Sequence, residues 1–147
     1  MSTLPEKLTQ CDSIDAALAL ILSEFAADSG TIHMIGDDGA LHLKAASRGI
    51  PEVVLNIVRL VPIGKGMAGL CAERGEVVTA CNIQNDASGD VRPGAKATGM
   101  EGAIVVPIFV GEKVAGTLGI ANRTERTFSP QEQANLIAAG RVLASMK

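Results

Sequence analysis

The stretch Gly102–Gly140, "GAIVVPIFVGEKVAGTLGIANRTERTFSPQEQANLIAAG", decides the architecture of this chain. Two apolar runs flank Val110-Gly111-Glu112, and a tight turn between strand-like runs pairs them antiparallel. Ser129 then caps a helix, Pro130 takes its first position, and Glu132 completes a capping box. A hairpin followed by a capped amphipathic helix calls for a sheet with a helix laid on one face.

The rest of the chain fits the same plan. "CDSIDAALALILSEFAADSG" (11–30) places Ile14, Ala17, Leu18, Ile21, Leu22 and Phe25 on one helical stripe, with Asp12 or Ser13 as cap and Gly30 just past its end. "TIHMIGDDGALHLKAAS" (31–47) is a second hairpin around "GDDG", with Ile32, Met34, Leu41, Leu43 and Ala45 expected to point one way. "PEVVLNIVRL" reads as a short helix or irregular lid, "LVPIG" as an edge-type strand, "GMAGLCAERG" as a short helix stopped by Gly75, and "EVVTACNI" as a strand. Between 84 and 99, "QNDASGDVRPGAKATG" has Val91 as its one large apolar residue, and a loop of that length tends to carry function. The expected fold class is α+β: a central antiparallel sheet, terminal helices on one face, and short helices plus the long loop enclosing a pocket on the other.

Composition narrows the function. The 147 residues are expected to form one domain, 1–147, with 47% hydrophobic and 20% charged residues and a net charge of −3. Without a basic cluster, nucleic acid and anionic membrane are poor partners. No apolar run approaches a membrane span and the polar start "MSTLPEKLTQ" is no signal peptide, so the expected location is cytoplasmic. Cys11, Cys71 and Cys81 form no CxxC, and His33 and His42 lack companions at metal-ligand spacing, so neither a disulfide scaffold nor a metal is expected. Each histidine reads as a strand-surface residue or a satisfied polar contact. With Phe25, Phe109 and Phe128 the only aromatics, stacking sites for purines, flavins or bilins are disfavoured, and no cofactor is expected.

"VPIGKGMAGLCAERG" (61–75) carries the chemistry, if any does. It is no Walker loop, because Gly69 is followed by Leu70 and Cys71 rather than Lys and a hydroxyl. Gly64, Gly66 and Gly69 match G-x-G-x-x-G, but Pro62 interrupts the strand leading in and the following strand lacks a carboxylate. These glycines either turn the chain sharply and pack closely, or face a ligand.

At this point the chain resembles a GAF domain, from about Ser13 to Ser145, a PAS/profilin-like layout. The resemblance lies in "VPIGKGMAGLCAERGEVV" and in the closing pattern: a strand ending in Val-Pro, a turn, Gly-x-x-Asn-Arg, then Phe-Ser and an acidic residue opening the last helix. It implies a sensory module, not an enzyme, in which the Gly64–Gly69 turn aims a helix N-terminus at a pocket. Amides there favour an anion or carbonyl. The implied ligand-binding residues are Gly66, Met67, Ala68, Gly69 and the strand residue Ile104, with Val106 as a further wall. Arg92 and Lys96 in the long loop either close over a small anionic ligand or are simply solvated.

The resemblance also brings competing functions. Free methionine-R-sulfoxide reductases of this family carry one cysteine in the glycine turn and another in the long loop; here the turn reads "GMAG" and the loop "RPGAKATG". Cys71 and Cys81 lie elsewhere and read as small core residues. Asn122, Arg123, Phe128 and Glu132 echo a cyclic-nucleotide motif only in part, and no Cys-His pair offers bilin attachment. A dimerisation module is a further alternative, using Leu18, Leu22, Leu136, Ile137 and Leu143. The expected partners are a small-molecule ligand, a second copy of the chain, and a separate signalling protein such as a sensor kinase.

Overall fold

The computed structural model describes residues 3–80 and 100–146. Among them the elements run α1 (Leu4–Thr9), α2 (Ile14–Glu24), β1 (Ser29–Ile35), β2 (Leu41–Ala46), α3 (Glu52–Val58), β3 (Leu60–Val61), α4 (Gly66–Arg74), β4 (Val78–Ala80), β5 (Gly102–Val110), β6 (Lys113–Asn122) and α5 (Pro130–Leu143). The strands form one sheet in the order β3-β2-β1-β6-β5-β4, every neighbouring pair antiparallel. Both expected hairpins are present, and the α+β class stands.

Helices α1, α2 and α5 cover one face, where Leu8, Leu18, Ile21, Leu136 and Leu143 pack against Ile32, Ile104, Val106, Ile108, Leu118 and Ile120. Against the other face α4 brings Met67 and Cys71 onto Val78, Ala80, Met100, Ala103 and Val105. Because strand side chains alternate between faces, the pairing register sorts the sheet into rows. Ile32–Leu118–Val106 is a row on the helix side, and Thr31–Gly119–Val105 is the neighbouring row on the opposite side.

Four details differ from the sequence reading. First, α1 was read only as a polar start, yet Thr3 and Glu6 form a capping box, Pro5 opens the turn, and Leu8 is buried. Second, α2 stops at Glu24 rather than near Gly30, which lies within β1. The turn is made by Ala26 at φ 51, with Ala27 N–H donating to the Leu22 carbonyl at 2.9 Å, a conformation usually left to glycine. The buried Asn122 amide donates to the Ala26 carbonyl at 2.8 Å, and Arg126 joins the clasp by donating to Asn122 Oδ1. Third, Leu41 and Leu43 do not share a face with Ile32. Ile32 pairs with Ala45 but the next residue, His33, pairs with Leu43, so a bulge leaves Lys44 over and reverses the alternation along β2. Fourth, Leu18, Leu136 and Leu143, expected to pair two copies, are almost wholly buried within their own chain, because the sheet takes up that stripe.

Candidate functional site

The described residues fill the face opposite the terminal helices only in part. A cavity of about 160 Å³ lies between the sheet, α3, β3 and the start of α4. Its base is built from cross-sheet rows of small side chains. Ser29–Ala121–Ala103 is one, Thr31–Gly119–Val105 the next, and His33 borders it from the third row beside Thr117. Val54, Ile57 and Val58 of α3 roof it, Val61, Met67 and Met100 close the sides, and Lys65 stands at the rim.

The glycine turn is resolved into separate duties. Gly64 and Gly66 adopt φ of 87 and 67, so the turn needs residues without a Cβ penalty. A Cβ on Gly69 would come within 2.5 Å of the Pro62 carbonyl oxygen, and the Gly69 carbonyl accepts from Gly64 N–H at 2.8 Å. Gly69 therefore closes the turn and does not border the cavity, whereas Gly66, Met67 and Ala68 do. No side chain caps α4. The first amides of a helix have no intrahelical acceptor, and at the cavity's edge no side-chain cap takes its place. At the other end Gly75, at φ 65, stops the helix as expected.

Ile104 borders the cavity along the strand, but its side chain packs in the helix-side cluster with Val106. The reason is alternation: Ala103 and Val105 are the β5 residues that face the cavity. Arg92, Lys96, Cys81 and the loop 84–99 lie outside the described residues.

His33 was read as a surface or satisfied histidine. It is satisfied, and it also lines the cavity. Its Nε2 lies 2.8 Å from the Val58 carbonyl oxygen, which only accepts, so Nε2 carries the proton and donates. Burial pushes its pKa below the usual imidazole value, outweighing the hydrogen bond to Val58 that pulls the other way. The neutral ring thereby ties the end of α3 to the sheet. His42 lies elsewhere, beside Asp38 at 2.9 Å on the exposed hairpin.

Sequence reasoning missed Ser29, Thr31, Ala103, Gly119, Ala121 and His33 as cavity residues. A signal existed: in "GTLGIAN" small residues alternate with Leu118 and Ile120. Reading it as a hollow required knowing which face the terminal helices cover.

Neither described thiol is set up as a nucleophile. Cys71 is fully buried, and burial pushes its pKa up to about 12. Cys11 is partly buried at the end of α1 with its Sγ 3.7 Å from the Lys7 carbonyl oxygen. Among the described residues no group of three or more His, Cys, Asp or Glu side chains could hold a metal ion. No described helix is long and apolar enough to cross a membrane. Of the cyclic-nucleotide echo, Asn122 serves the α2 clasp and Glu132 caps α5 while pairing with Arg126 at 2.7 Å.

Solved structures share this fold. The GAF domain of an Acinetobacter phosphoenolpyruvate-protein phosphotransferase superposes with TM-score 0.77 at 19% identity, covering 96% of this chain and 86% of that one. A type II free methionine-R-sulfoxide reductase from Thermoplasma acidophilum gives TM-score 0.74 at 18% identity, covering 96% and 92%. The nlh2 GAF domain of A. aeolicus gives 0.69 at 18% identity, covering 95% and 88%. At these identities the likeness is one of fold. No curated protein matches the sequence. Residues 12–146 match the GAF domain family over nearly the whole chain, and the chain belongs to that family.

Proposed function

We propose that this protein is a small-molecule-binding signalling module whose occupied state is read by a separate signalling protein. The observation that carries the reading is the cavity of about 160 Å³ left between the small-residue rows of the sheet and the roof made by α3. A well-packed domain leaves few voids larger than a water molecule, so an apolar hollow of this size is a binding site in waiting. The uncapped tip of α4, with Gly66, Met67 and Ala68 at the cavity edge and Lys65 at the rim, suits a ligand with one anionic or carbonyl group.

Binding without chemical change is the better reading of the buried thiol Cys71. A sulfoxide reductase needs an attacking thiolate, and Cys71, held near pKa 12 in the core, supplies almost none at neutral pH. Thermal-shift screening against small anions, 2-oxoacids, amino acids and cyclic nucleotides tests the proposal. A true ligand at a hundred times its Kd stabilises the fold by about 2.7 kcal/mol, several degrees in Tm. If no compound moves Tm, the receptor reading fails. Turnover of free methionine sulfoxide that disappears in Cys71→Ser would replace it with the enzyme.

A further inference from the structure

β6 runs through the middle of the sheet, between β1 and β5. A glycine inside such a strand weakens it and needs a reason. At Gly116 the reason is steric, since a Cβ there would strike the His33 carbonyl oxygen. Gly119 has no such reason. Its φ is not among the positive values, and a Cβ would meet Val105 Cγ2 at 3.4 Å, Thr31 Oγ1 at 3.6 Å and the Ile104 carbonyl oxygen at 3.8 Å, all ordinary contacts. Alanine would fit. Gly119 is nonetheless partly open while its neighbours Leu118 and Ile120 are 1% and 2% exposed, and what it opens onto is the cavity.

We propose that Gly119 is the contact floor of the binding site, where the guest lies directly on the β6 backbone, and that this guest is a compact, mainly aliphatic molecule with a single polar group. The inference rests on the receptor reading and sharpens it. A closed cavity of roughly 150 Å³ accepts a molecule the size of benzene, so about six to eight non-hydrogen atoms fill the space of about 160 Å³ that the described walls bound, in a hollow open at one side. A cyclic nucleotide is several times too large. The roof and sides are hydrocarbon or thioether, from Val54, Ile57, Met67 and Met100. Among the described lining residues the polar side chains are Ser29, Thr31 and His33 along β1 and Lys65 at the rim, and against these walls the guest places a polar group beside an apolar body. A small inorganic anion would leave the hydrocarbon walls unused.

The test titrates straight-chain carboxylates from butanoate to octanoate, and the matching alcohols, into the parent, Gly119→Ala and Gly119→Val. Calorimetry and backbone amide shifts of Thr31, Gly119 and Val105 are the readouts, with nitrate and cyclic GMP as compounds outside the class. Affinity should rise about fourfold per methylene up to about six carbons and fall at eight. Gly119→Ala should bind at least tenfold more weakly without losing Tm, and Gly119→Val should not bind. An unchanged affinity in both variants, or an octanoate that binds best, overturns the inference and leaves the receptor reading standing. Binding of nitrate or cyclic GMP alone does the same. If no compound of either set binds, the inference falls, and the receptor reading falls with it only when the thermal-shift screen is silent as well.

Discussion

Leu118 and Gly119 are adjacent on one strand and live in different worlds. Leu118 sits between Ile32 and Val106 beneath the terminal helices, in a row of branched side chains that interdigitate with α2 and α5. Gly119 sits between Thr31 and Val105 and, among the described residues, faces the cavity. The same backbone thus supports a filled layer on one side and a hollow on the other. Stability comes from the first and the capacity to receive a guest from the second. Side-chain size at alternate positions separates them, together with the elements that cover each face.

The contrast can be broken most severely at Leu118. Leu118→Ala leaves a void where packing is tight and should cost about 3–5 kcal/mol, lowering Tm by roughly 10 °C in thermal denaturation. Met67→Ala, on the hollow side, removes a side chain that already lacks neighbours on its cavity face, so about 1–2 kcal/mol is expected. Equal losses from the two would mean that both faces are packed alike.

A gentler probe is pH. The folded protein holds His33 neutral below its ordinary pKa, whereas the unfolded chain protonates it near 6.5. The unfolded state therefore binds more protons, and stability is retained above that value and declines as pH falls through it. His33→Gln should flatten the decline in Tm between pH 7.5 and 5.5; an unaltered slope would mean that the ring is not buried neutral beneath α3. The smallest effect has the opposite sign. Gly119→Ala should raise stability by about 0.4–1 kcal/mol, since the strand conformation accepts alanine and the unfolded chain loses freedom. A destabilised variant would show that the glycine serves packing rather than a guest.

Much of the fold was legible because its signals are local. The Val110-Gly111-Glu112 turn, the Ser129–Glu132 capping box and the Gly75 stop lie within a few residues of what they control, and each appears where the pattern places it. The misreadings arose where one residue acts through distant ones. Ala26 takes a left-handed turn because Asn122 and Arg126 hold its carbonyl from across the molecule. One extra residue, Lys44, turns Leu41 and Leu43 away from the face expected for them. At the site, the tip of α4 is legible through its glycines, whereas Ile104 borders the cavity with its side chain packed in the helix-side cluster, and nothing in the sequence gives His33 a role in the cavity.

Sequence alone determined the order of the described elements from α2 onward, the antiparallel sheet and the place where a helix tip meets the sheet, because turns, caps and alternation are properties of neighbouring residues. Only the tertiary structure decided which face is filled. A run such as "GTLGIAN" becomes a hollow only when helices from both ends of the chain cover the Leu118 side and α3 bridges the other without reaching down to Gly119. Empty space belongs to no residue; it appears only when surfaces far apart in the chain fail to meet.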